Sequence, residues 1–286
     1  MLNRGDKIGL VACSNALPQS DEKQIAQLME TLKSLSFTPV RSSYMTAENS
    51  AFSGTAKERA ETLMRFYADD SIKAIFDISG GDVANGILGF LDYGLIRSHP
   101  KPFWGYSDLT TVINAIYQKT RNPSCLYQIR NLIGNSRDIQ MREFQNTVLC
   151  RQNDLNEISW RFFRGSKMEG VVIGGNIRCF LKLAGTPYLP DFHGKLLFLE
   201  SRSGGAAQMA AYFYQLKQMG AFEQISGLLL GTFTQMEEQN ESPSVLDLIA
   251  EAADHPSLPV AKTQDVGHSS ASKCLVIGKT CCIEAG

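Results

Sequence analysis

The sequence predicts an α/β fold built on a parallel sheet wrapped in helices, and two observations predict it. Short apolar runs alternate along the first half with stretches whose apolar residues recur at helical spacing, which is the pattern of strand–helix–strand units. Several of these runs also end in small residues, such as Ser79-Gly80-Gly81 and Gly105-Tyr106-Ser107, just before a helical stretch begins. In such folds ligands bind at the carboxyl ends of the strands, so those two segments draw attention first.

Taken in order, Lys7 to Ala12 reads as a buried strand, and Ser14-Asn15 with Pro18 opens a loop. Asp21 to Leu35 places Ile25, Leu28, Met29 and Leu32 on one helical face, with Asp21 as a candidate cap. Phe37 to Arg41 reads as a strand, Lys57 to Asp69 as a helix through Ala60, Leu63, Met64 and Tyr67, and Ala74 to Ile78 as a third strand. A short helix from Ala84 to Leu91, a strand from Pro102 to Tyr106 and a helix from Asp108 to Gln118 follow. The pattern then breaks into a polar stretch around Cys150 to Lys167, expected to be a linker or connecting hairpin. This divides the chain into residues 1–150, a linker 151–168 and a second half 169–286. The second half reads as a strand from Glu169 to Asn176, a helix from Ile177 to Ala184, and a strand from Lys195 to Leu199 ending at Glu200. A helix from Ala206 to Met219, a strand from Gly227 to Gly231, a helix from Val245 to Ala253 and the segment Val260-Ala261 before Gly267-His268 complete it.

Composition narrows the function. The chain has 286 residues, 43% hydrophobic, with a formal net charge of −1; it is long enough for two domains and lacks the basic face that phosphate backbones require. Nucleic acid is therefore not an expected partner. The apolar stretch Ile8 to Cys13 is too short for a secretory signal, and no run approaches the ~18 apolar residues of a membrane span. The expected location is the cytoplasm, with no membrane partner. Seven cysteines, odd in number and scattered, make no disulfide framework and no C-x-x-C pair, so reduced and mostly buried thiols are expected. No histidine has a partner at metal-ligand spacing, so no metal is expected. The sequence has no G-x-G-x-x-G and no P-loop, and so no nucleotide-cofactor fingerprint. No cofactor is expected.

Three residues invite chemistry. Ser107 stands where a strand runs into a helix, a position that lifts a hydroxyl beside free backbone N–H groups able to hold an oxyanion. The same position suits a plain helix N-cap. Of four histidines, His268 stands apart, following Gly267 and preceding Ser269-Ser270. Glu200 ends the apolar strand Leu196-Leu197-Phe198-Leu199, where a carboxylate needs a partner or solvent. It is either a solvated strand end or the acid that orients an imidazole. Gly80-Gly81-Asp82, at the end of another strand, could bring one N–H to an oxyanion hole with that of Asp108.

The segment Pro102 to Asp108 (PFWGYSD) resembles the nucleophile segment of the LD-carboxypeptidase family, serine peptidases that include muramoyltetrapeptide carboxypeptidases and microcin C self-immunity peptidases. Ile173-Gly174-Gly175-Asn176, Ala184-Gly185-Thr186-Pro187-Tyr188, Leu196 to Glu200, Gly227 to Phe233 and Gly267-His268 resemble family segments in the same order, over nearly the whole chain. The resemblance implies a Rossmann-like N-terminal domain, a smaller β-rich C-terminal domain and an active site between them. It further implies Ser107 as nucleophile, Glu200 as orienting acid and His268 as base. The oxyanion hole would come from the N–H groups of Gly81 and Asp108, and the enzyme would be a homodimer without metal. Where the family often has Arg-Gly-Gly-Tyr-Gly after the third strand, this chain has Ser79-Gly80-Gly81-Asp82-Val83, closer to the microcin-immunity branch. The acidic residue that commonly follows the glutamate is replaced by Ser201-Arg202-Ser203-Gly204-Gly205, and a His-Gly-Pro-like segment by Leu126-Tyr127-Gln128. The implied reaction is hydrolysis of an amide bond that releases a C-terminal D-amino acid from a peptidoglycan-derived peptide, with Asp82, Arg178 and Arg202 as candidate substrate-binding residues. The alternatives are a peptidyl- or aminoacyl-nucleotide substrate on the same triad, an α/β-hydrolase esterase without its G-x-S-x-G, and a small-ligand binding protein without turnover.

Overall fold

The first apolar run forms β1 (Lys7–Val11), buried over its last four residues in the computed structural model, which describes residues 2–285. A strand apolar on both faces belongs inside a parallel sheet. β1 lies between β3 (Thr38–Arg41) and β5 (Ile72–Asp77), parallel to both. A short parallel bridge joins β2 (Leu17–Pro18) to β4 (Thr46–Ala47) in the loop region above it. β6 (Phe103–Gly105) and β7 (Ser124–Leu126) extend the main sheet in parallel, and β13 (Leu275–Ile277) closes its edge antiparallel to β7.

The helices between these strands follow the apolar spacing. α1 (Glu22–Ser34) buries Ile25, Leu28 and Leu32. Asp21 occupies its N-cap position but makes no side-chain capping bond; its carboxylate lies 3.6 Å from the Arg130 guanidinium instead. α2 (Ala56–Ala68) begins on a reciprocal Thr55–Glu58 capping box. α3 (Tyr93–Ser98) precedes β6, and a 3-10 turn over Ser107–Leu109 leads into α4 (Thr110–Thr120). α5 (Arg137–Leu149), absent from the sequence reading, buries only Gln140, Phe144 and Val148, too sparse an apolar stripe to announce a helix.

A second sheet holds β9 (Lys167–Asn176), β10 (Lys195–Ser201), β11 (Gly227–Phe233) and β12 (Val260–Lys262) in parallel. β14 (Thr280–Glu284) and β8 (Arg161–Arg164) are its antiparallel edges. α6 (Ile177–Leu181) and α7 (Ala206–Gln218) follow β9 and β10. Within the stretch 151–168, expected as a linker or connecting hairpin, Arg161–Arg164 is an edge strand of the second sheet, exposed at alternate residues. From the second half, β13 returns to the first sheet. The thiols are all free, but only Cys13, Cys179 and Cys274 are buried; Cys150 and Cys282 are exposed.

The halves are joined through α4, nine of whose 11 residues are buried. One continuous apolar cluster includes Phe103, Leu109 and Ile113 of the first half and Ile173, Phe198 and Leu229 of the second. A separate cluster, with Ile8, Phe76, Trp104 and Phe144, covers the opposite face of the first sheet. Within the first cluster the Asn114 amide donates to Gly174 O at 2.8 Å and accepts from Gly174 N at 2.9 Å, satisfying a buried polar group in both directions. Next to it, Gly175 has φ +139°, and a Cβ there would lie 2.5 Å from Thr110 Oγ1. Only glycine lets β9 approach α4 so closely.

Candidate active site

Ser107 sits at the turn between β6 and α4 with φ +54°, a left-handed conformation unusual outside glycine. Such a backbone costs on the order of 1–3 kcal/mol and persists where surrounding structure imposes it. The N-cap position of the following turn is Tyr106, and Ser107 Oγ makes no hydrogen bond among the described residues. The serine is therefore not used as a cap. The loop after β5 passes beside it: a Cβ on Gly80 would lie 3.9 Å from Ser107 Oγ.

That loop is fixed by Asn15. Its Oδ1 accepts from Asp82 N at 2.8 Å, and its own N–H donates to Gly80 O at 3.2 Å. Gly81 has φ +126°, and a Cβ there would lie 2.3 Å from Asn15 Cγ. No hydrogen bond engages Gly81 N–H among the described residues. Asp108 stands in the first turn after Ser107, where N–H groups lack partners within the helix. Its carboxylate is fully buried, pointing into the protein, and accepts from Ser14 Oγ at 2.6 Å, Ala84 N at 2.7 Å and Lys182 Nζ at 2.5 Å.

Glu200 lies near the end of β10, in register with Asn176 of β9. It is not a solvated strand end but fully buried. Asn176 Nδ2 donates to its Oε1 at 3.0 Å, and His268 Nδ1 lies 2.7 Å from its Oε2. This fixes the imidazole with Nδ1 toward the carboxylate and Nε2 away from it. His268 is held on the loop after β12, where Gly267 N donates to Ser272 Oγ at 3.1 Å. The Tyr106 ring meets the imidazole edge-on with centroids 4.8 Å apart. Burial, together with the Glu200 carboxylate, pushes the Tyr106 phenol well above its ordinary pKa, so it stays neutral beside the pair.

Ser107 and His268 open onto one cavity of about 280 Å³, lined also by Gly80, Gly81, Arg130 and Arg202. No hydrogen bond joins Ser107 Oγ to His268 among the described residues; such bonds often tighten only when substrate binds. A larger, apolar cavity of about 650 Å³ beside Phe52 and Arg59 contains no histidine or carboxylate, so size does not mark the site.

The candidate substrate-binding residues separate. Arg202 lines the cavity, exposed, and its guanidinium has no partner among the described residues. Arg178 and Asp82 do not line it. They pair with each other, Arg178 also donating to Gly81 O at 3.0 Å, and its hydrogen bond holds the Asp82 carboxylate below the usual range. The sequence reading missed Arg130, Asn15 and Lys182. Arg130 follows a parallel strand at its carboxyl end, which was a usable signal; Lys182 gives none, since its partners are remote in the chain.

Residues 8–127 match the LD-carboxypeptidase N-terminal domain, and residues 169–283 match the LD-carboxypeptidase C-terminal domain. The chain is similar to a probable murein peptide carboxypeptidase of Bacillus subtilis, 29% identical over 100% of this chain and 93% of the relative. It is likewise similar to the microcin C7 self-immunity protein MccF of Escherichia coli, 26% identical over 96% of this chain and 89% of that one. The structure of MccF in complex with glutamyl sulfamoyl guanosine has the same fold, with a TM-score of 0.88 at 24% identity, covering 99% of this chain and 94% of that chain. With both domain models matched in order over most of its length, the chain belongs to the LD-carboxypeptidase family.

Proposed function

We propose that the protein is a serine carboxypeptidase that releases a C-terminal D-amino acid from murein peptides, with Ser107 as nucleophile, His268 as base and Glu200 as orienting acid. The observation that carries this reading is a buried glutamate 2.7 Å from an imidazole that opens, with Ser107, onto a single cavity. His268 Nε2 takes the Ser107 proton as Oγ bonds to the scissile carbonyl carbon. The Nδ1–H of His268 keeps donating to the Glu200 carboxylate, which stabilises the imidazolium. The N–H groups of Gly81 and Asp108 receive the oxyanion. The C–N bond then breaks, His268 returns its proton to the leaving amine, and water activated by the same imidazole frees the acid from Ser107.

A carboxypeptidase must also hold the free carboxylate of its substrate. Arg202 and Arg130, which both line the cavity, supply the guanidinium groups suited to it. Arg130 is partly occupied by Asp21 and by Gln24 Oε1 at 3.2 Å, whereas Arg202 is not, so Arg202 is the principal contact. The halves 1–150 and 169–286 serve as the nucleophile side and the acid–base side, and the active unit is a homodimer. A second reading, hydrolysis of an aminoacyl-nucleotide conjugate, is favoured by the close fold match to MccF with glutamyl sulfamoyl guanosine bound.

Mass spectrometry of products from a murein L,D-tetrapeptide and an aminoacyl sulfamoyl nucleoside separates the two. The first reading predicts a tripeptide and a free D-amino acid, with the conjugate intact. Cleavage of the conjugate alone selects the second, and cleavage of neither rejects both.

A further inference from the structure

We infer that Lys182, assisted by Arg178, is a positioning residue that reaches from the second half of the chain to set the oxyanion hole. The inference rests on the reading of Gly81 and Asp108 N–H as that hole. From Gly80 to Asp82 four of the six main-chain polar atoms are engaged. Gly80 O accepts from Asn15 N, Asp82 N donates to Asn15 Oδ1, Gly81 O accepts from Arg178 Nη2 at 3.0 Å, and Asp82 O accepts from Lys182 Nζ at 2.9 Å. The N–H groups of Gly80 and Gly81 have no partner among the described residues, and that of Gly81 is the group proposed to meet the oxyanion. A free N–H in a loop tied on both sides has its direction settled before substrate arrives, which is the condition for electrostatic stabilisation without reorganisation.

The same Lys182 ammonium donates to Asp108 Oδ1 at 2.5 Å, so one cation spans both segments that supply the hole. Asp108 carries that tie onward through Ser14 Oγ and Ala84 N, knotting the loops after β1 and β5 to the turn after β6. Arg178 and Lys182 are four residues apart at α6, a spacing that puts both on one helical face. α6 follows β9, whose Asn176 holds Glu200. The element that clamps the hole is thus continuous with the strand that supports the base.

A plainer role for Lys182 is to neutralise a buried carboxylate, since an unpaired buried charge is strongly destabilising. Four variants separate the two roles, read by kcat and KM on the tetrapeptide and by the rate at which a fluorophosphonate acylates Ser107. Lys182→Met is expected to lower kcat and the acylation rate by about 100-fold, the effect of losing one oxyanion donor, with KM changed less than about twofold, as for a contact that acts only in the transition state. Lys182→Arg, which keeps two donors, restores most of the rate. Lys182→Met combined with Asp108→Asn leaves no unpaired buried charge, folds, and still acylates slowly. Arg178→Met shows a smaller loss in the same two rates. Wild-type acylation by the double variant would make Lys182 a counterion and overturn the inference. Absence of acylation in the wild-type protein would instead reject the serine reading of the site, and the inference with it.

Discussion

The two sides of the cavity are organised in opposite ways. On the second-half side the chain of contacts is complete: Asn176 donates to Glu200, and Glu200 holds His268, all on or beside a buried parallel sheet. On the first-half side Ser107 has no hydrogen bond to His268, its proposed base, among the described residues, and is placed by backbone, through a left-handed φ and the close passage of Gly80. The difference teaches that the proposed base is held by side chains, while the proposed nucleophile is held by main-chain geometry and only the loop beside it is tied by Asn15, Arg178 and Lys182. The His268 side breaks when a charge is removed, and the Ser107 side also when a methyl group is added.

The most damaging way to break the base side is Glu200→Gln. The amide retains the volume but cannot hold the imidazole in the correct tautomer, and kcat is expected to fall about 10⁴-fold with the fold intact. Steady-state hydrolysis of the tetrapeptide and circular dichroism check both halves of that statement. Gly81→Ala attacks the nucleophile side. Its Cβ would lie 2.3 Å from Asn15 Cγ in a backbone that side chains rarely adopt. The loop must shift, and we expect a loss of about 1–3 kcal/mol in stability together with a fall in kcat, measured by urea unfolding and by rate.

Arg202→Ala sharpens the comparison, because it touches neither side's machinery. Loss of a contact made equally to substrate and transition state raises KM, by about tenfold, and leaves kcat unchanged. A fall in kcat with unchanged KM would remove Arg202 from the role of carboxylate contact. The smallest effect concerns Asp82, whose pKa the Arg178 hydrogen bond lowers from the ordinary 3.8. A depressed folded-state value means that the pairing stabilises the loop above pH 3.8 and loses its effect as the pH falls through the lower, folded-state value. The Asp82 side chain is 60% exposed, so the gain is below about 1 kcal/mol. The difference in unfolding free energy between wild type and Asp82→Asn should shrink as pH drops below that range.

What could be read in the sequence follows the same division. Most parallel strands of both halves were legible, the longer ones because they are buried and read as apolar runs; the three-residue β7 was not read. Ser107 was marked by its place at a strand end, and Glu200 by the cost of a carboxylate on LLFLE. β8 and β13 were not legible, because short antiparallel edge strands carry little apolar signal and their membership in a sheet depends on distant partners. The Arg178–Asp82 pair was not legible for a related reason. A lone arginine near a site gives no sign of whether it meets substrate or a neighbouring carboxylate, and here Asp82 answers it first. Lys182 and Asn15 were silent in sequence because their roles consist entirely of contacts across the fold.

The central claim is that Ser107 forms the covalent intermediate with help from the preassembled His268–Glu200 pair. Peptide mapping by mass spectrometry after fluorophosphonate treatment tests it most directly. The account predicts a single adduct on Ser107 in the wild-type protein and none in His268→Ala. An adduct on another residue, or tetrapeptide hydrolysis at the wild-type rate by Ser107→Ala, would contradict it.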